Sequence, residues 1–198
     1  MNPVLTLDHV SYSYHTPSGE TPALKDVSFS VRPGSFTSIA GPSGCGKSTL
    51  LSLIAGLITP EKGCIRFYKS DAMPAAARIG YMLQHDTLLE WRTIYKNILL
   101  GLEVTHQCTE QKKRLAADMM HDYGLASFKN AHPSELSGGM RQRAALIRTL
   151  VLEPDILLLD EPFSALDYQT RLEVSDDIFR IIKEQEKTAL LVTHDISE

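Results

Sequence analysis

The sequence has 198 residues, of which 43% are hydrophobic and 22% are charged, and its formal net charge is -4. This length and composition suit one globular domain with a sizeable core. A mildly acidic chain without a basic cluster is a poor match for nucleic acid, because binding to backbone phosphates needs a basic face. No apolar run approaches the roughly 20 residues that a membrane-spanning helix needs.

The first third of the chain predicts short strands joined by turns. Residues 5–12 alternate loosely between apolar and polar side chains, residues 27–31 alternate cleanly, and residues 63–69 (GCIRFYK) predict a further strand. These three segments predict an antiparallel layer. The polar stretch between the first two predicts a loop, with the turn residues Pro17, Gly19 and Pro22.

The rest of the chain alternates between strand and helix patterns. Runs at residues 36–40 and 78–84 predict strands, and the continuous apolar runs at 156–159 and 189–193 are typical of strands buried in a parallel sheet. Helical patterns cover residues 48–56, 111–123 and 139–152. A further amphipathic helix is predicted around Leu172, Ile178, Phe179 and Ile182.

Residues 41–48, GPSGCGKS, match the phosphate-binding pattern G-x-x-x-x-G-K-[ST] between a predicted strand and a predicted helix. Glycines in such a loop let successive backbone N–H groups converge on one anion, and the following helix adds the positive end of its dipole. Lys47 is placed to reach the β- and γ-phosphates, and the Ser48 hydroxyl to bind magnesium. The loop predicts a nucleoside triphosphate site but not the class of enzyme that uses it.

A pair of acids, Asp160 and Glu161, follows the buried strand pattern at residues 156–159. In open parallel sheets, ligands bind at the carboxyl ends of the strands. Asp160 is suited to hold magnesium, directly or through water, and Glu161 to polarise an attacking water. A solvated acidic turn is the alternative interpretation, which the phosphate loop makes a minor one.

The segment LSGGMRQR at residues 136–143 indicates the class of the protein. Ser137, Gly138 and Gly139 open a helical pattern and form a second anion-binding helix N-terminus. A protein that binds one nucleotide per chain has no evident need for two such sites. The segment closely resembles the signature of ATP-binding cassette (ABC) proteins, and the resemblance covers nearly the whole chain.

The resemblance implies an α/β fold: a P-loop NTPase core with a mostly parallel sheet, an N-terminal antiparallel β subdomain and an inserted helical subdomain. Residues 1–198 then form a single ABC ATPase domain, with the core and antiparallel layer at 1–84 and 154–198 and the helical signature subdomain at 85–153. Family members usually continue for several dozen residues past the position of His194, whereas this sequence continues for four. We therefore expect a truncated C-terminus and an exposed edge strand.

The resemblance also assigns roles to single residues. Glu161 matches the general base, Gln84 the glutamine that contacts magnesium and water, and His194 the histidine that senses the γ-phosphate. Tyr14 resembles the aromatic residue that stacks on adenine. Packing within a strand, with Tyr12 close by, is the alternative interpretation of Tyr14.

The expected site residues fall into four groups. The expected ATP-binding residues are Tyr14, Gly41, Pro42, Ser43, Gly44, Cys45, Gly46, Lys47, Ser48 and Thr49. The residues expected to bind ATP held by another subunit are Ser137, Gly138, Gly139 and Asp167, the last in a loop at Ser164–Asp167 that resembles the family's interface loop. The expected magnesium ligands are Ser48, Gln84 and Asp160. The expected catalytic residues are Glu161, His194, Gln84 and Lys47.

By resemblance, the protein hydrolyses ATP with Mg2+, in a head-to-tail dimer expected to contain two identical chains. Transmembrane permease subunits and an extracytoplasmic solute-binding protein are the other implied partners, and nucleic acid is not one. The implied location is the cytoplasmic face of the cell membrane, as a peripheral subunit. Residues 88–103 and the ending THDISE are similar to the subgroup that serves importers of nitrate, sulfonates and taurine.

Alternative interpretations stay open at this point. The short C-terminus is compatible with a truncated, non-catalytic module that binds or regulates in a nucleotide-dependent way, although the intact Glu161 and His194 oppose it. Cassette ATPases of translation or DNA repair usually carry two cassettes or large insertions, and this chain has neither. Residues 85–101, which include Trp91, either contact a membrane subunit or fill the core of the helical subdomain.

Overall fold

The computed structural model of the protein describes residues 2–17, 19–68, 76–164 and 166–194. The strands are β1 (Leu5–Thr16), β2 (Gly19–Val31), β3 (Phe36–Ala40), β4 (Lys62–Phe67), β5 (Ile79–Met82), β6 (Ile156–Asp160) and β7 (Thr188–Thr193). The α-helices are α1 (Lys47–Ile54), α2 (Ile94–Val104), α3 (Glu110–Asp122), α4 (Gly138–Leu150) and α5 (Tyr168–Glu184). No helix among the described residues is long and apolar enough to cross a membrane.

The chain divides into two units. The first contains Met1–Ile79, Asp155–Asp160 and Glu186–Glu198, and the second contains Gly80–Pro154 and Glu161–Gln185. Helix α5 therefore belongs with the second unit, beyond the helical stretch expected at 85–153. The expected domain bounds stay a prediction.

In the first unit, an antiparallel sheet with the strand order β2-β1-β4 forms the N-terminal layer. The loose alternation along β1 has a structural cause at His9, whose φ of +51° accompanies a register shift between Leu7 and Val10. Such a β-bulge adds one residue, so the buried side chains of this stretch are Leu5, Leu7 and Val10. The bulge lets the strand keep one buried face although its sequence pattern slips.

The predicted loop between the first two strands is largely wrong. β1 runs to Thr16 and β2 begins at Gly19, so only Pro17 of the three turn residues lies between the strands. Pro22 lies within β2, opposite Ser13. Proline is tolerated there because β2 is an edge strand, where one side of the backbone needs no partner in the sheet.

The second sheet has the strand order β3-β7-β6-β5, and β7 pairs in parallel with both β3 and β6. Every residue of β6 and β7 is buried, as their continuous apolar runs predict. The register places Ala40 opposite Thr193 and Asp160 opposite Val192, so three strands end together at one edge of the sheet. The predicted α/β fold, with a parallel and an antiparallel sheet, is confirmed.

In the second unit, α4 contacts α2, α3 and α5. The predicted apolar face of α5 is correct for Ile178 and Ile182, which are buried, and wrong for Leu172, which is 44% exposed. Val174 and Ile181 complete the buried face, because they share the i, i+4, i+7 spacing with Ile178.

Asn97 of α2 is fully buried and holds the backbone that precedes the helix. Its Nδ2 donates hydrogen bonds to the carbonyl oxygens of Leu89, Arg92 and Thr93 at 3.0, 3.1 and 3.1 Å. Its Oδ1 accepts a hydrogen bond from the Leu89 N–H at 2.7 Å. Because buried polar groups need partners, this one side chain fixes the path of residues 89–93.

The change Asn97→Ala is expected to lower the free energy of unfolding by about 2–4 kcal/mol, because backbone groups of residues 89–93 lose their partner. Urea unfolding followed by circular dichroism measures this quantity. The control is Asn130→Ala, at an exposed asparagine of the same unit, with an expected change below about 0.5 kcal/mol. Equal stability of the two variants would contradict the role given to Asn97.

Candidate functional site

The phosphate loop, residues 41–48, joins β3 to α1 in the first unit. Gly46 lies at the N-terminus of α1 with a φ of +99°, a conformation that residues with a Cβ rarely adopt. A Cβ at this position would also lie 2.4 Å from the carbonyl oxygen of Ala23 in β2. Both the turn of the backbone and the neighbouring strand therefore require glycine here.

Lys47, the first residue of α1, is only 7% exposed although it carries a charge. Its Nζ donates hydrogen bonds to the carbonyl oxygens of Gly41 and Pro42 at 2.7 and 3.1 Å. Such partners are needed because burial of an unpaired charge is unfavourable. The loop therefore places a positive charge beside the helix N-terminus, where both attract a phosphate group.

The Ser48 hydroxyl donates a 2.9 Å hydrogen bond to Oδ1 of Asp160, which ends β6 and is 6% exposed. Two of the three predicted magnesium ligands therefore lie side by side in the first unit. A hydroxyl and a carboxylate are hard oxygen donors of the kind that Mg2+ prefers, so this pair fits the ion. The third predicted ligand, Gln84, belongs to the second unit.

A cavity of about 230 Å³ in the first unit is lined by Tyr14 and by part of the phosphate loop. The Tyr14 side chain is 44% exposed, and its hydroxyl lies 3.1 Å from that of Thr49. Tyr12 packs edge-on against the Tyr14 ring, with the ring centroids 5.1 Å apart. The predicted ATP-binding residues that line this cavity are Tyr14, Gly44, Gly46, Lys47, Ser48 and Thr49.

Three further residues of this cavity do not follow from the sequence, which predicts a loop at their positions. Thr21, Pro22 and Ala23 line the cavity from β2. They reach it because the hairpin pairs Tyr14 with Thr21. Only this cross-strand register, which no local pattern specifies, brings them to the site.

The phosphate loop is also tied to the strand that precedes His194. The Gly41 N–H donates a 3.1 Å hydrogen bond to the carbonyl oxygen of Thr193, the last residue of β7. His194 follows directly and is exposed. The first unit therefore brings the start of the phosphate loop and the backbone of His194 to the same sheet edge.

In the second unit, hydrogen bonds connect Gln84 to Glu161 through Ser164. The Gln84 Nε2 donates to the Ser164 hydroxyl at 3.2 Å, and that hydroxyl donates to the Glu161 carbonyl oxygen at 3.0 Å. Glu161 has a φ of +44°, so the backbone changes direction directly after β6. The prediction that Gln84 closes a strand is wrong, because β5 ends at Met82. Ser164 joins two residues with predicted catalytic roles.

The signature segment begins α4. Ser137 caps the helix through its hydroxyl, which accepts a 3.3 Å hydrogen bond from the Met140 N–H. A Cβ on Gly138 would lie 2.9 Å from Cδ2 of Leu166, and one on Gly139 would lie 2.7 Å from a side chain of α5. The helix start is therefore packed closely against neighbouring parts of the second unit.

Asp167 is the cap of α5. Its carboxylate accepts a 3.1 Å hydrogen bond from the Thr170 N–H, and this bond keeps the pKa of Asp167 below its usual value. The loop at Ser164–Asp167 therefore carries a charged carboxylate at neutral pH. Ala165 lies outside the described residues.

The segment after β5 divides between core and surface. Leu88 and Ile94 are buried, so part of the segment fills the core of the second unit. Trp91, the only tryptophan in the sequence, is 76% exposed. Because exposed tryptophan is enriched at interfaces, Trp91 is the residue of this segment best suited to contact a partner.

The change Tyr14→Ala is expected to weaken ATP binding about fivefold, because an aromatic stack contributes about 1 kcal/mol. Tyr14→Phe keeps the ring and is expected to bind ATP within about threefold of the native affinity. Isothermal titration calorimetry measures both dissociation constants. Inorganic tripolyphosphate, which lacks the base, is the control ligand, and Tyr14→Ala should leave its affinity unchanged. An equal loss of affinity for both ligands would mean that Tyr14 supports the phosphate loop and does not stack on the adenine.

Comparison with known proteins agrees with these features. Residues 24–164 match the family model described as ABC transporter. An uncharacterised ABC transporter ATP-binding protein of Bacillus subtilis is 50% identical over 194 residues, which cover 98% of this chain and 75% of that protein. An aliphatic sulfonates import ATP-binding protein of Rhodococcus jostii is 45% identical over 90% of this chain and 69% of its own length.

A solved structure of a dimeric ATP-binding cassette, in a post-hydrolysis state bound to ADP and Pi, is also similar. It has a TM-score of 0.79 and 32% sequence identity, and the match covers 98% of this chain and 89% of that one. The predicted family and ATPase activity are confirmed by these relatives. The chain therefore belongs to the ABC transporter family, as one of its ATP-hydrolysing ATP-binding chains.

Proposed function

We propose that this protein binds and hydrolyses ATP to drive solute import through separate membrane-spanning subunits. The observation that carries the proposal is that Lys47 and Ser48 of the phosphate loop lie beside each other in the chain and that the Ser48 hydroxyl donates a hydrogen bond to Asp160. A similar protein that is named as an import ATP-binding protein supports the direction of transport. A non-catalytic regulatory module is not favoured by these relatives.

ATP is bound between the phosphate loop and the hairpin of the first unit. The loop N–H groups and Lys47 bind the phosphates, and the dipole of α1 adds positive potential at the same point. The Tyr14 ring stacks on the adenine, supported from the side by Tyr12. Ser48, Asp160 and Gln84 would hold Mg2+, which would neutralise charge that develops on the phosphate oxygens.

Hydrolysis needs a base for the attacking water and a group that holds the γ-phosphate. The oxygen of the attacking water bonds to the γ-phosphorus, and Glu161 accepts a proton from that water. At the same time, the bond between the γ-phosphorus and the leaving ADP oxygen breaks. His194 holds the γ-phosphate. The hydrogen bond from Ser164 to the Glu161 carbonyl oxygen supports the turn that carries this base.

A second identical chain completes the site. Ser137, Gly138, Gly139 and Asp167 of that chain contact the ATP bound by the phosphate loop of the first. ATP then joins the chains head to tail, and hydrolysis removes the bridging charge so that they separate. The dimeric state of the similar cassette supports this arrangement.

The membrane partner is a permease whose cytoplasmic surface contacts Trp91, and an extracytoplasmic protein delivers the solute to that permease. The chain then lies at the cytoplasmic face of the membrane as a peripheral subunit. The 76% exposure of the Trp91 side chain supports this choice of contact. Buried tryptophan is among the strongest contributors to interface affinity.

Two inactive variants are expected to restore activity when they are mixed. Lys47→Ala disables the phosphate loop and Ser137→Arg blocks the signature, so neither variant alone has an intact site. In a mixed head-to-tail dimer one site carries both defects and the other none, so roughly a quarter of the native rate should return. Magnesium-dependent ATP hydrolysis, measured over a range of protein concentrations, tests this. No recovery would contradict the sharing of ATP between chains.

The same mixture tests Glu161 as the general base. Glu161→Gln is introduced into the Ser137→Arg chain, whose phosphate loop is intact. This change is expected to abolish the recovered rate while ATP binding persists. Glu173→Gln, at an exposed glutamate of α5, is the matched control and should leave the recovered rate in place. Persistent hydrolysis with Glu161→Gln would assign the base to another residue.

The change Trp91→Ala is expected to weaken association with the membrane subunits of the same transport system by about thirtyfold, the equivalent of about 2 kcal/mol. ATP hydrolysis by the isolated chain should be retained. Co-purification of the co-expressed subunits measures the association. Leu57→Ala, at a side chain that is 68% exposed in the first unit, is the control. Unchanged complex formation by Trp91→Ala would place the contact elsewhere.

A further inference from the structure

The end of the β1–β2 hairpin carries side chains that can bind a metal ion. His15 of β1, Glu20 of β2 and Glu61, which directly precedes β4, each offer one donor atom, and these atoms lie within 4.8 Å of one another. The His15 Nε2 lies 2.6 Å from Glu61 Oε1. All three residues are exposed, so an ion reaches them from solution. They belong to the first unit, and none of them is among the expected site residues.

The pairing of three strands sets the positions of these side chains. His15 lies directly opposite Glu20 in the antiparallel register of β1 and β2. The Glu61 N–H donates a 3.0 Å hydrogen bond to the Ser11 carbonyl oxygen, and the next residue, Lys62, pairs with Ser11 in the register of β1 and β4. Directly opposite residues share one face of a sheet, with Cβ atoms about 5 Å apart. Since strands position ligands more precisely than loops do, the sheet favours a defined site.

The two carboxylates of this cluster carry charges of the same sign. Among the residues that the structure describes, neither Glu20 nor Glu61 forms an ion pair with a lysine or an arginine. A protonated His15 balances at most one of the two charges. A divalent cation balances both, and a neutral imidazole is then a ligand without charge of its own. The charges of the cluster therefore suit a divalent ion.

The donor atoms select among such ions. An imidazole nitrogen combined with carboxylate oxygens suits Zn2+, whereas Mg2+ and Ca2+ prefer oxygen ligands alone. Bonds in a tetrahedral zinc site are about 2.0–2.2 Å long, so its ligand atoms lie about 3.4 Å apart. The three donors, within 4.8 Å of one another, reach this spacing by small rotations of exposed side chains. Three protein ligands leave the fourth position to water.

We propose that His15, Glu20 and Glu61 form a zinc site that ties the end of the β1–β2 hairpin to the start of β4. Successive side chains of a strand point to opposite faces of the sheet, so the ion lies on the face away from Tyr14. The zinc site is therefore separate from the proposed adenine site, and the inference does not rest on the proposed function.

Competition with a chromophoric zinc indicator tests the site on the metal-free full chain. The titration is made without nucleotide, since the phosphates of ATP bind divalent ions themselves. One equivalent of Zn2+ is expected to bind at least about a hundredfold more tightly than Mg2+. Because the three ligands come together only in the folded chain, Zn2+ should also raise the unfolding temperature.

Three single changes each remove one ligand: His15→Ala, Glu20→Gln and Glu61→Gln. Each is expected to weaken zinc binding at least about tenfold, because the loss of even an outer-shell partner has an effect of this size. His121→Ala, at a histidine of the second unit whose side chain is 82% exposed, is the matched control and should keep the native affinity. Circular dichroism checks that each variant is folded.

Thiols are the competing zinc ligands, so the combined variant Cys45→Ser, Cys64→Ser, Cys108→Ser is titrated in parallel and should keep the native affinity. Loss of zinc binding in this variant, with full retention in His15→Ala, would assign the ion to cysteine and overturn the inference. Zinc binding no tighter than that of Mg2+ would overturn it as well. So would native affinity in both glutamine variants, since His15 would then act as a single surface histidine.

Discussion

The parallel register of β3, β7 and β6 is the constraint on which the phosphate site depends. It makes three strands end at Ala40, Thr193 and Asp160, and the phosphate loop, the histidine and the acid pair all start from that edge. A slip of one residue would turn Asp160 to the other face of the sheet, away from the Ser48 hydroxyl that lies 2.9 Å from it. Because β6 and β7 are buried along their whole length, apolar packing on both faces fixes this register.

The two helix N-termini that are predicted to bind anions are built differently. At α1, Gly46 caps the helix with a positive φ, and the buried ammonium of Lys47 adds a full positive charge. At α4, Ser137 caps the helix with a neutral hydroxyl, and the first turn holds no acidic side chain. Because Asp86 balances the charge of Arg141 in this turn, the helix end attracts anions mainly through its dipole, and more weakly than one with a lysine. The signature is therefore suited to contact a phosphate that another group already holds.

The sequence predicts what depends on local pattern. The continuous apolar runs of β6 and β7, the glycine spacing of the phosphate loop and the order of the motifs all carry over to the structure. The long hairpin does not, because Gly19 and Pro22 favour a turn locally, whereas an edge strand tolerates them. The hydrogen bonds from Arg148 to the carbonyl oxygens of Thr87 and Asp86 also give no signal in the sequence, because these partners lie 61 and 62 residues away in the chain and no motif marks them.

Two sets of hydrogen bonds hold the segment at residues 84–92 within the second unit, and they differ in strength. Gln84 reaches the Glu161 carbonyl oxygen through Ser164 by neutral hydrogen bonds of 3.2 and 3.0 Å. Arg148 of α4 instead donates three hydrogen bonds of 2.7 to 2.9 Å to Asp86 and Thr87 from a charged guanidinium. Charge-assisted hydrogen bonds are about twice as strong as neutral ones. Helix α4 is therefore the stronger attachment of this segment, and it holds residues 86 and 87 against the helix that the signature begins.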